Sequence, residues 1–380
     1  MKRRQFMKCA MGSLVVIQQP LIAKSANAIE SKKKKIVWVM LRGALDSLST
    51  IIPTSDTNLS KYRPTIAEAV LKDAKPLNEN FALHASLSNL HQWYESKELI
   101  PIVSVGSGFS NRSHFDGQDY LESGYKEINQ DSGWLARAAY LKEVNSIAVA
   151  RSKPISLRGD ENATSWYPSN LKDANESTYD ALLGMYEETD PVLFERLQNG
   201  LNLKSMTMGE TTKKSGRFKS LAQSCGKLLA GDNNIDCAML ELGGWDTHNN
   251  QVSRLNRQLK TLDDGLFLLK KELGEQWKDT VVIVGTEFGR TARENGTKGT
   301  DHGTASLMLL AGGGLNGGVV KGHWPGLEEK NLFENRDLKA TTNTFGWIST
   351  VLAQHWELSN KQINAVFPDL ESRYDEKIIL

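Results

Sequence analysis

The chain has 380 residues, 39% of them hydrophobic, with 46 Lys and Arg against 45 Asp and Glu for a net charge of +1. That length suits one large α/β domain, or a core with a cap. The even charge balance argues against nucleic acid as the main partner, because nucleic-acid recognition leaves a basic footprint.

Residues 1–28 read as a targeting segment. Met1 to Lys8 is basic and contains the pair Arg3-Arg4, Cys9 to Ala23 is modestly apolar, and Ala26-Asn27-Ala28 is a small-x-small cleavage signal. The form Arg3-Arg4-Gln5-Phe6-Met7-Lys8 resembles a twin-arginine export signal, so the twin-arginine machinery is an expected partner. The expected location is the periplasm or the medium. Cleavage after Ala28 removes five cations and no acid, which leaves the mature chain at −4. Lys32 to Lys35 then form a solvated run at the new terminus. No later stretch approaches 18 uninterrupted apolar residues, so no permanent membrane span is expected.

Residues 29–380 form the expected domain. Ile36 to Leu41 is a continuous apolar strand, as expected of a strand covered on both faces, and Arg42 to Ser47 is the loop at its carboxyl end. A helix around Ser86 to Lys97 leads to a strand, Leu99 to Val105, then a glycine- and serine-rich loop to Ser113 and a helix from His114 to Ser123. Ser146 to Val149 is a further short strand. Residues 151–215 turn polar, with a helical stretch near Thr178 to Gln198, and read as an insertion or cap over a site. Alternation resumes near Phe218. Ile235 to Leu242 is a strand, followed by Gly243-Gly244-Trp245-Asp246-Thr247-His248 and a helix with Val252, Leu255, Leu259, Leu262, Leu266 and Leu269 on one face. Thr280 to Gly285 is a strand before Glu287-Phe288-Gly289-Arg290. Asp301-His302-Gly303 precedes the apolar run Ser306 to Ala311, and Thr344 to Trp356 is a closing helix. This alternation predicts an α/β fold: a doubly wound, mostly parallel sheet with helices on both faces.

Open α/β sheets place their ligands at the carboxyl ends of strands. Asp46, Asp246, His248, Glu287, Asp301 and His302 all fall in loops after strands, and carboxylate with imidazole suits a divalent ion of the zinc, manganese or iron type. Two such ions about 4 Å apart would activate a nucleophile and stabilise a leaving oxygen. Arg290 offers a planar fork for an anionic group, and Ser113 or Ser110 a hydroxyl at a helix start. Each residue also has a structural alternative: Asp246 and Ser113 as helix caps, Asp301 as a loop former, Glu287 as a partner of Arg290. Asp116 and Asp119 could join a polar network or a solvated helix face. His84 and His91 read as structural or surface, His355 as packed, and His323 as a residue within possible reach of the site. Cys225 and Cys237 could pair after export, or Cys237 could be buried in its strand.

Arg42-Gly43 with Asp46, the run Arg112-Ser113-His114-Phe115-Asp116-Gly117-Gln118-Asp119-Tyr120-Leu121-Glu122-Ser123-Gly124, and the motifs at 243–248, 287–291 and 299–303 resemble a bacterial family named only as domain of unknown function 1501. The resemblance runs from about Ile36 to Pro368. That family looks related to the alkaline phosphatase and sulfatase superfamily, which implies a metal site at the strand ends of the sheet. The resemblance implies Asp46 as first-strand ligand, Asp246 with His248 as a middle pair, and His302 as the last histidine ligand. Glu287 stands where relatives have an Asp-His pair. The chain departs from the pattern at Gly43-Ala44, where two glycines are usual, and at Thr341-Thr342-Asn343, where the family ends in Asp.

The expected activity is therefore that of an exported, metal-dependent hydrolase of phosphate or sulfate esters. Asp46, Asp246, His248, Glu287, Asp301 and His302 are the metal candidates, Ser113 the nucleophile, and His114 and Arg290 the substrate contacts. Zinc or manganese is the first expectation, one ion or two, with calcium or magnesium as alternatives. A small anionic ester or a sulfated or phosphorylated polymer is the expected substrate. The competing expectation is a non-catalytic periplasmic binding or assembly protein that retains the fold. No nucleotide fingerprint follows the first strand, so a redox enzyme finds little support.

Overall fold

Side chains alternate across a strand, and the first strand shows what that does here. In β1 (Lys35–Arg42), Val37, Val39 and Leu41 enter one apolar core, while Ile36, Trp38 and Met40 enter another. Full burial of one such side chain contributes about 1.5–3 kcal/mol, so a strand apolar on both faces must lie between two helical layers. The structure, a computed structural model, describes residues 33–168, 175–207, 218–231, 235–371 and 373–380. The leader read over residues 1–28 lies outside these, as do 169–174 and 208–215 of the expected insertion.

The remaining strands are β2 (Ile51–Pro53), β3 (Lys75–Pro76), β4 (Phe81–Leu83), β5 (Leu99–Gly106), β6 (Asn145–Ala148), β7 (Thr164–Ser165), β8 (Ile235–Gly243), β9 (Thr280–Thr286), β10 (Ser306–Ala311) and β11 (Thr342–Asn343). Eight of them form one sheet in the order β11-β5-β10-β9-β1-β8-β6-β7, and β2, β4 and β3 form a small antiparallel sheet. Within the large sheet β1 is parallel to β8 and β9, β6 to β8 and β7, and β11 to β5. Only β10 runs antiparallel, to both β5 and β9. The fold is α/β with a mixed, mostly parallel sheet.

Helices Phe218–Ala230 and Gln251–Leu273 pack into the core beside Val37 and Val39. Leu255, Leu259, Leu262, Leu266 and Leu269 are buried there, as their spacing requires, while Val252 sits half-buried against a third, smaller cluster. Helices Trp134–Lys142, Thr344–His355 and Asn360–Val366 cover the other face. The stretch near Thr178 to Gln198 is two helices, Glu176–Thr189 and Pro191–Met206. Pro191 cannot continue a helix, and Asp190 caps the second one by accepting from the Leu193 N–H at 3.0 Å. Residues 164–165 of the expected insertion add β7 to the sheet edge instead of standing clear of it. Among the described residues no helix is long and apolar enough to cross a membrane.

Cys225 and Cys237 are both free and fully buried, one in each core, so the disulfide alternative is not realised. His355 is packed as expected, and its Nε2–H donates to the Lys35 carbonyl at 3.0 Å. Burial lowers its pKa from 6.5 to about 4. Between those values the unfolded chain binds the proton and the folded chain does not. Stability therefore falls as pH drops from about 6.5 toward 4, by about 1 kcal/mol per pH unit near pH 5.5 from this group alone. Denaturant titrations at pH 7, 6 and 5 should show a flatter pH dependence in His355→Gln than in wild type.

Candidate metal centre

Register decides which loops meet. Arg42 of β1 stands opposite Gly243 of β8, and Leu41 opposite Thr286 of β9, so three carboxyl ends finish level. The loops that start at Gly43, Gly244 and Glu287 leave side by side. Gly43 adopts φ +118°, and a Cβ there would lie 2.8 Å from the Asp246 nitrogen. Only glycine fits both the angle and the approach. Trp245 is buried, and its Nε1–H donates to the Leu242 carbonyl at 2.8 Å, which fixes the turn that presents Asp246. At Gly289 a Cβ would sit 1.7 Å from the Ala305 carbonyl oxygen. That close passage, with Gly303 N–H donating to the Gly289 carbonyl at 2.8 Å, carries His302 to the same place.

Four nitrogens converge on one oxygen. Asp246 Oδ1 lies 2.7 Å from Arg290 Nη2, 2.9 Å from His248 Nε2, 3.2 Å from His302 Nε2 and 3.4 Å from His114 Nε2. His248 Nε2 and His302 Nε2 are 3.0 Å apart. Candidate ligand atoms of His114, Asp246 and His302 all fall within 4.8 Å of one another.

The other side of each ring says what those Nε2 atoms carry. His114 Nδ1 meets Glu287 Oε1 at 2.8 Å, His302 Nδ1 the Arg112 carbonyl at 2.9 Å, and His248 Nδ1 Asp301 Oδ1 at 3.3 Å. A carboxylate and a carbonyl only accept, so every Nδ1 bears the hydrogen. In the neutral rings the Nε2 lone pairs then face one another and a carboxylate. Arg290 offsets the charge of that carboxylate but offers nothing to the three Nε2 lone pairs, which repel one another. Protons serve poorly, since the His114 and His302 ring centroids are only 4.3 Å apart and two imidazolium charges would repel. A nitrogen-and-oxygen donor set of this kind fits a divalent ion of the zinc, manganese or iron type, and backing of Nδ1 by an acceptor is how proteins orient metal-binding histidines.

Neighbouring charges shift these groups in different directions. Burial pushes the Asp246 carboxyl up, but the charges of Arg290, His248 and His114 outweigh it and hold the group below its ordinary value. Burial lowers His114, and the bond and charge of Glu287 raise it further than burial depresses it. Burial and the neighbouring His114 both lower His302. Phe288 stacks on the His114 ring, 4.9 Å between centroids, and closes that flank to water.

The sequence candidates divide three ways. Asp246, His248 and His302 come together, and His114, expected to touch substrate, joins them. Glu287 and Asp301 stand one layer back. Glu287 is 1% exposed: Oε1 accepts from Gly43 N, His114 Nδ1 and Gln118 Nε2, and Oε2 shares the Thr286 hydroxyl with the Leu41 carbonyl. Asp301 accepts from Asn295 as well as His248. Asp46 and Arg290 lie deeper. Asp46 Oδ2 accepts from Arg63 Nη1 at 2.6 Å and Gln251 Nε2 at 2.5 Å, while Oδ1 is buried without a partner. Burial pushes Asp46 up, and Arg63 more than reverses that. Arg290 is 1% exposed; its Nη1 and Nη2 donate to Asp246 and the carbonyls of Trp245 and Thr300, while its Nε is buried without a partner. Ser113 caps the His114–Ser123 helix by accepting from the Asp116 N–H at 3.5 Å.

His84 is buried and accepts from the Ser86 N–H, His91 meets the Pro76 carbonyl, and His323 is exposed. Asp116 is exposed, and Asp119 accepts from Gln130. Arg63, Gln118, Gln251 and Arg112 were missed. Gln118 was findable, since it sits four residues after His114 on one helix face. Arg112 adopts φ +57°, a strained angle for a side-chain-bearing residue, and this turns its carbonyl to His302. Bonds from its guanidinium to Asp337 at 3.1 and 2.8 Å hold it there.

Asn343, where the family pattern has Asp, is a helix cap. Its Oδ1 accepts from Phe345 N at 2.8 Å and Gly346 N at 3.4 Å. Asn343→Ala should cost about 1 kcal/mol, the usual worth of such a cap, while Asn343→Asp keeps the acceptor and the stability; thermal melts of the two variants distinguish them.

A family model described as "Protein of unknown function (DUF1501)" matches residues 33–367. No curated protein matches the chain. Among solved structures, the chain is similar to an alkaline phosphatase from the Antarctic bacterium TAB5, at 13% identity over 89% of this chain and 99% of that one, TM-score 0.37. It is also similar to a 2-O GAG sulfatase, at 6% identity over 91% and 76%, TM-score 0.41. A third is the C-terminal periplasmic domain of EcEptC from Escherichia coli in complex with Zn, at 8% identity over 74% of each chain, TM-score 0.39.

Proposed function

We propose that this chain, which belongs to the DUF1501 family, is an exported hydrolase of phosphate or sulfate esters that works with a bound divalent ion. One observation carries the metal part of the reading: three imidazole Nε2 atoms and a carboxylate oxygen face a common point, each ring backed at Nδ1 by an acceptor. The ester part rests on the resemblance of the motifs at 42–46, 112–124, 243–248, 287–291 and 299–303 to a family akin to phosphatases and sulfatases. Export rests on the leader sequence, with the twin-arginine machinery as carrier.

His114, Asp246 and His302 would hold the ion, with His248 beside them. When bound, zinc or manganese supplies Lewis acidity and lowers the pKa of water it carries. The chain's own groups do the rest. Glu287, Asp301 and the Arg112 carbonyl aim the rings, and Arg290 keeps Asp246 ionised and in place. Ser113 has a capping role, so the reading takes water as the attacking group. The substrate is a small anionic ester or a phosphorylated or sulfated polymer.

The second reading is a non-catalytic member with a structural ion. What favours it is Arg290, whose guanidinium is buried against Asp246 rather than turned toward an incoming anion. Elemental analysis of protein purified without chelator, followed by assays on nitrophenyl phosphate and sulfate esters, tests both. Bound transition metal with turnover that chelation abolishes supports the hydrolase. Bound metal without turnover on any ester favours the second reading. A metal-free, folded protein that gains no heat stability from zinc, manganese, magnesium or calcium ends both.

A further inference from the structure

We infer that the centre takes one divalent ion and not two, with the guanidinium groups of Arg63 and Arg290 supplying the positive charge that a second ion would bring. The inference rests on the metal reading above and narrows it.

A second ion about 4 Å from the first would need carboxylates or imidazoles with free lone pairs. Asp246 accepts through Oδ1 at the first ion's place and Asp301 through Oδ1 from His248 and Asn295, while Glu287 and Asp46 are engaged more deeply. Glu287 Oε1 accepts from three donors, and Oε2 shares the Thr286 hydroxyl with the Leu41 carbonyl. Asp46 Oδ2 is held between Arg63 and Gln251. Its Oδ1 is free, but Asp46 is absent from the one converging group of three or more metal-capable side chains found among the described residues. A single oxygen does not make an ion site.

Two guanidinium groups already stand among these carboxylates. Arg63 is fully buried: Nη1 donates to Asp46 and to Ser49 Oγ, Nε to the Ala292 carbonyl and Nη2 to the Thr291 carbonyl. Arg290 sits between carboxylates, bonded to Asp246 and within electrostatic reach of Asp46 and Glu287. Three carboxylates (Asp46, Asp246 and Glu287) thus share two fixed guanidinium charges, while Asp301 faces Arg336 instead. One divalent ion already brings these three carboxylates and two guanidinium groups to a net positive charge, and a second would add two more. Uncompensated buried charge is strongly unfavourable.

Chelator-stripped, tag-free protein titrated with zinc, by calorimetry and by elemental analysis after gel filtration, decides the matter. Saturation at one equivalent is expected, and Asp46→Asn should leave that value at one. Two equivalents in the wild type overturn the inference while leaving the metal reading intact. Loss of the ion in Asp46→Asn that remains folded, judged by circular dichroism, overturns it as well. No bound equivalent overturns the metal reading itself and this inference with it.

Discussion

Truncating His302 to alanine is expected to weaken zinc binding by more than about 100-fold, while Glu287→Gln weakens it by about 10- to 100-fold, the range seen when a group behind a ligand is changed. The two residues differ by one layer. His302 Nε2 lies 3.2 Å from Asp246 Oδ1 and 3.0 Å from His248 Nε2, inside the cluster. Glu287 reaches the cluster only through His114, whose Nδ1 it accepts at 2.8 Å. Glutamine keeps an oxygen for that bond and for the Gly43 N–H, but loses the charge that strengthens His114 as a donor to metal. Competition against a chromophoric chelator measures both affinities, and melting of the metal-free proteins shows whether either change unfolds the chain. Equal loss in both variants would return Glu287 to the ligand role that sequence alone suggested. Wild-type affinity in His302→Ala would remove the centre altogether.

What sequence could say about this fold follows from what apolar spacing records. Ile36 to Leu41, Thr280 to Gly285 and Ser306 to Ala311 read as strands because burial on both faces leaves no polar position, and β1, β9 and β10 lie there. Direction leaves no such trace. A doubly buried strand looks alike either way up, so the reversal of β10 was illegible. The helix His114–Ser123 was legible to its ends because Ser113 caps it and Gly124 closes it at φ +70°. The break at Asp190-Pro191 carried a usable signal, a cap followed by proline, yet helical spacing on both sides masked it.

The centre divides along the same line. Asp246, His248 and His302 were legible because they follow or precede strand ends, and level registers bring such ends together. Depth was not legible. Glu287 follows β9 directly and turns under the loop, whereas His114 opens a helix and projects over it, so His114 joins the cluster and Glu287 backs it. Arg63 had no signal at all. It precedes Pro64 in a polar stretch, and only tertiary folding carries it beneath Asp46.

That hidden position makes Arg63 the residue whose loss should be felt most in stability. Arg63→Met is expected to destabilise the fold by about 3–5 kcal/mol, the cost of leaving one member of a buried ion pair alone. The side chain is 0% exposed and Asp46 1%, so water cannot replace the lost partner. Methionine fills part of the volume but leaves Asp46 Oδ2 with Gln251 alone, and it frees the carbonyls of Thr291 and Ala292. Lysine should rescue only partly, because one ammonium cannot reproduce a planar fork that bonds in three directions. Urea denaturation of Arg63→Met, Asp46→Asn and the double variant separates charge from packing. If the unpaired charge dominates, the double variant is more stable than Arg63→Met, since neutralising Asp46 removes the penalty that Arg63 had been cancelling. If the double variant is the sum of the two single changes, Arg63 acts as a strap between residues 46–49 and 291–292. The electrostatic role assigned to it would then fall, and with it half the charge balance of the one-ion centre.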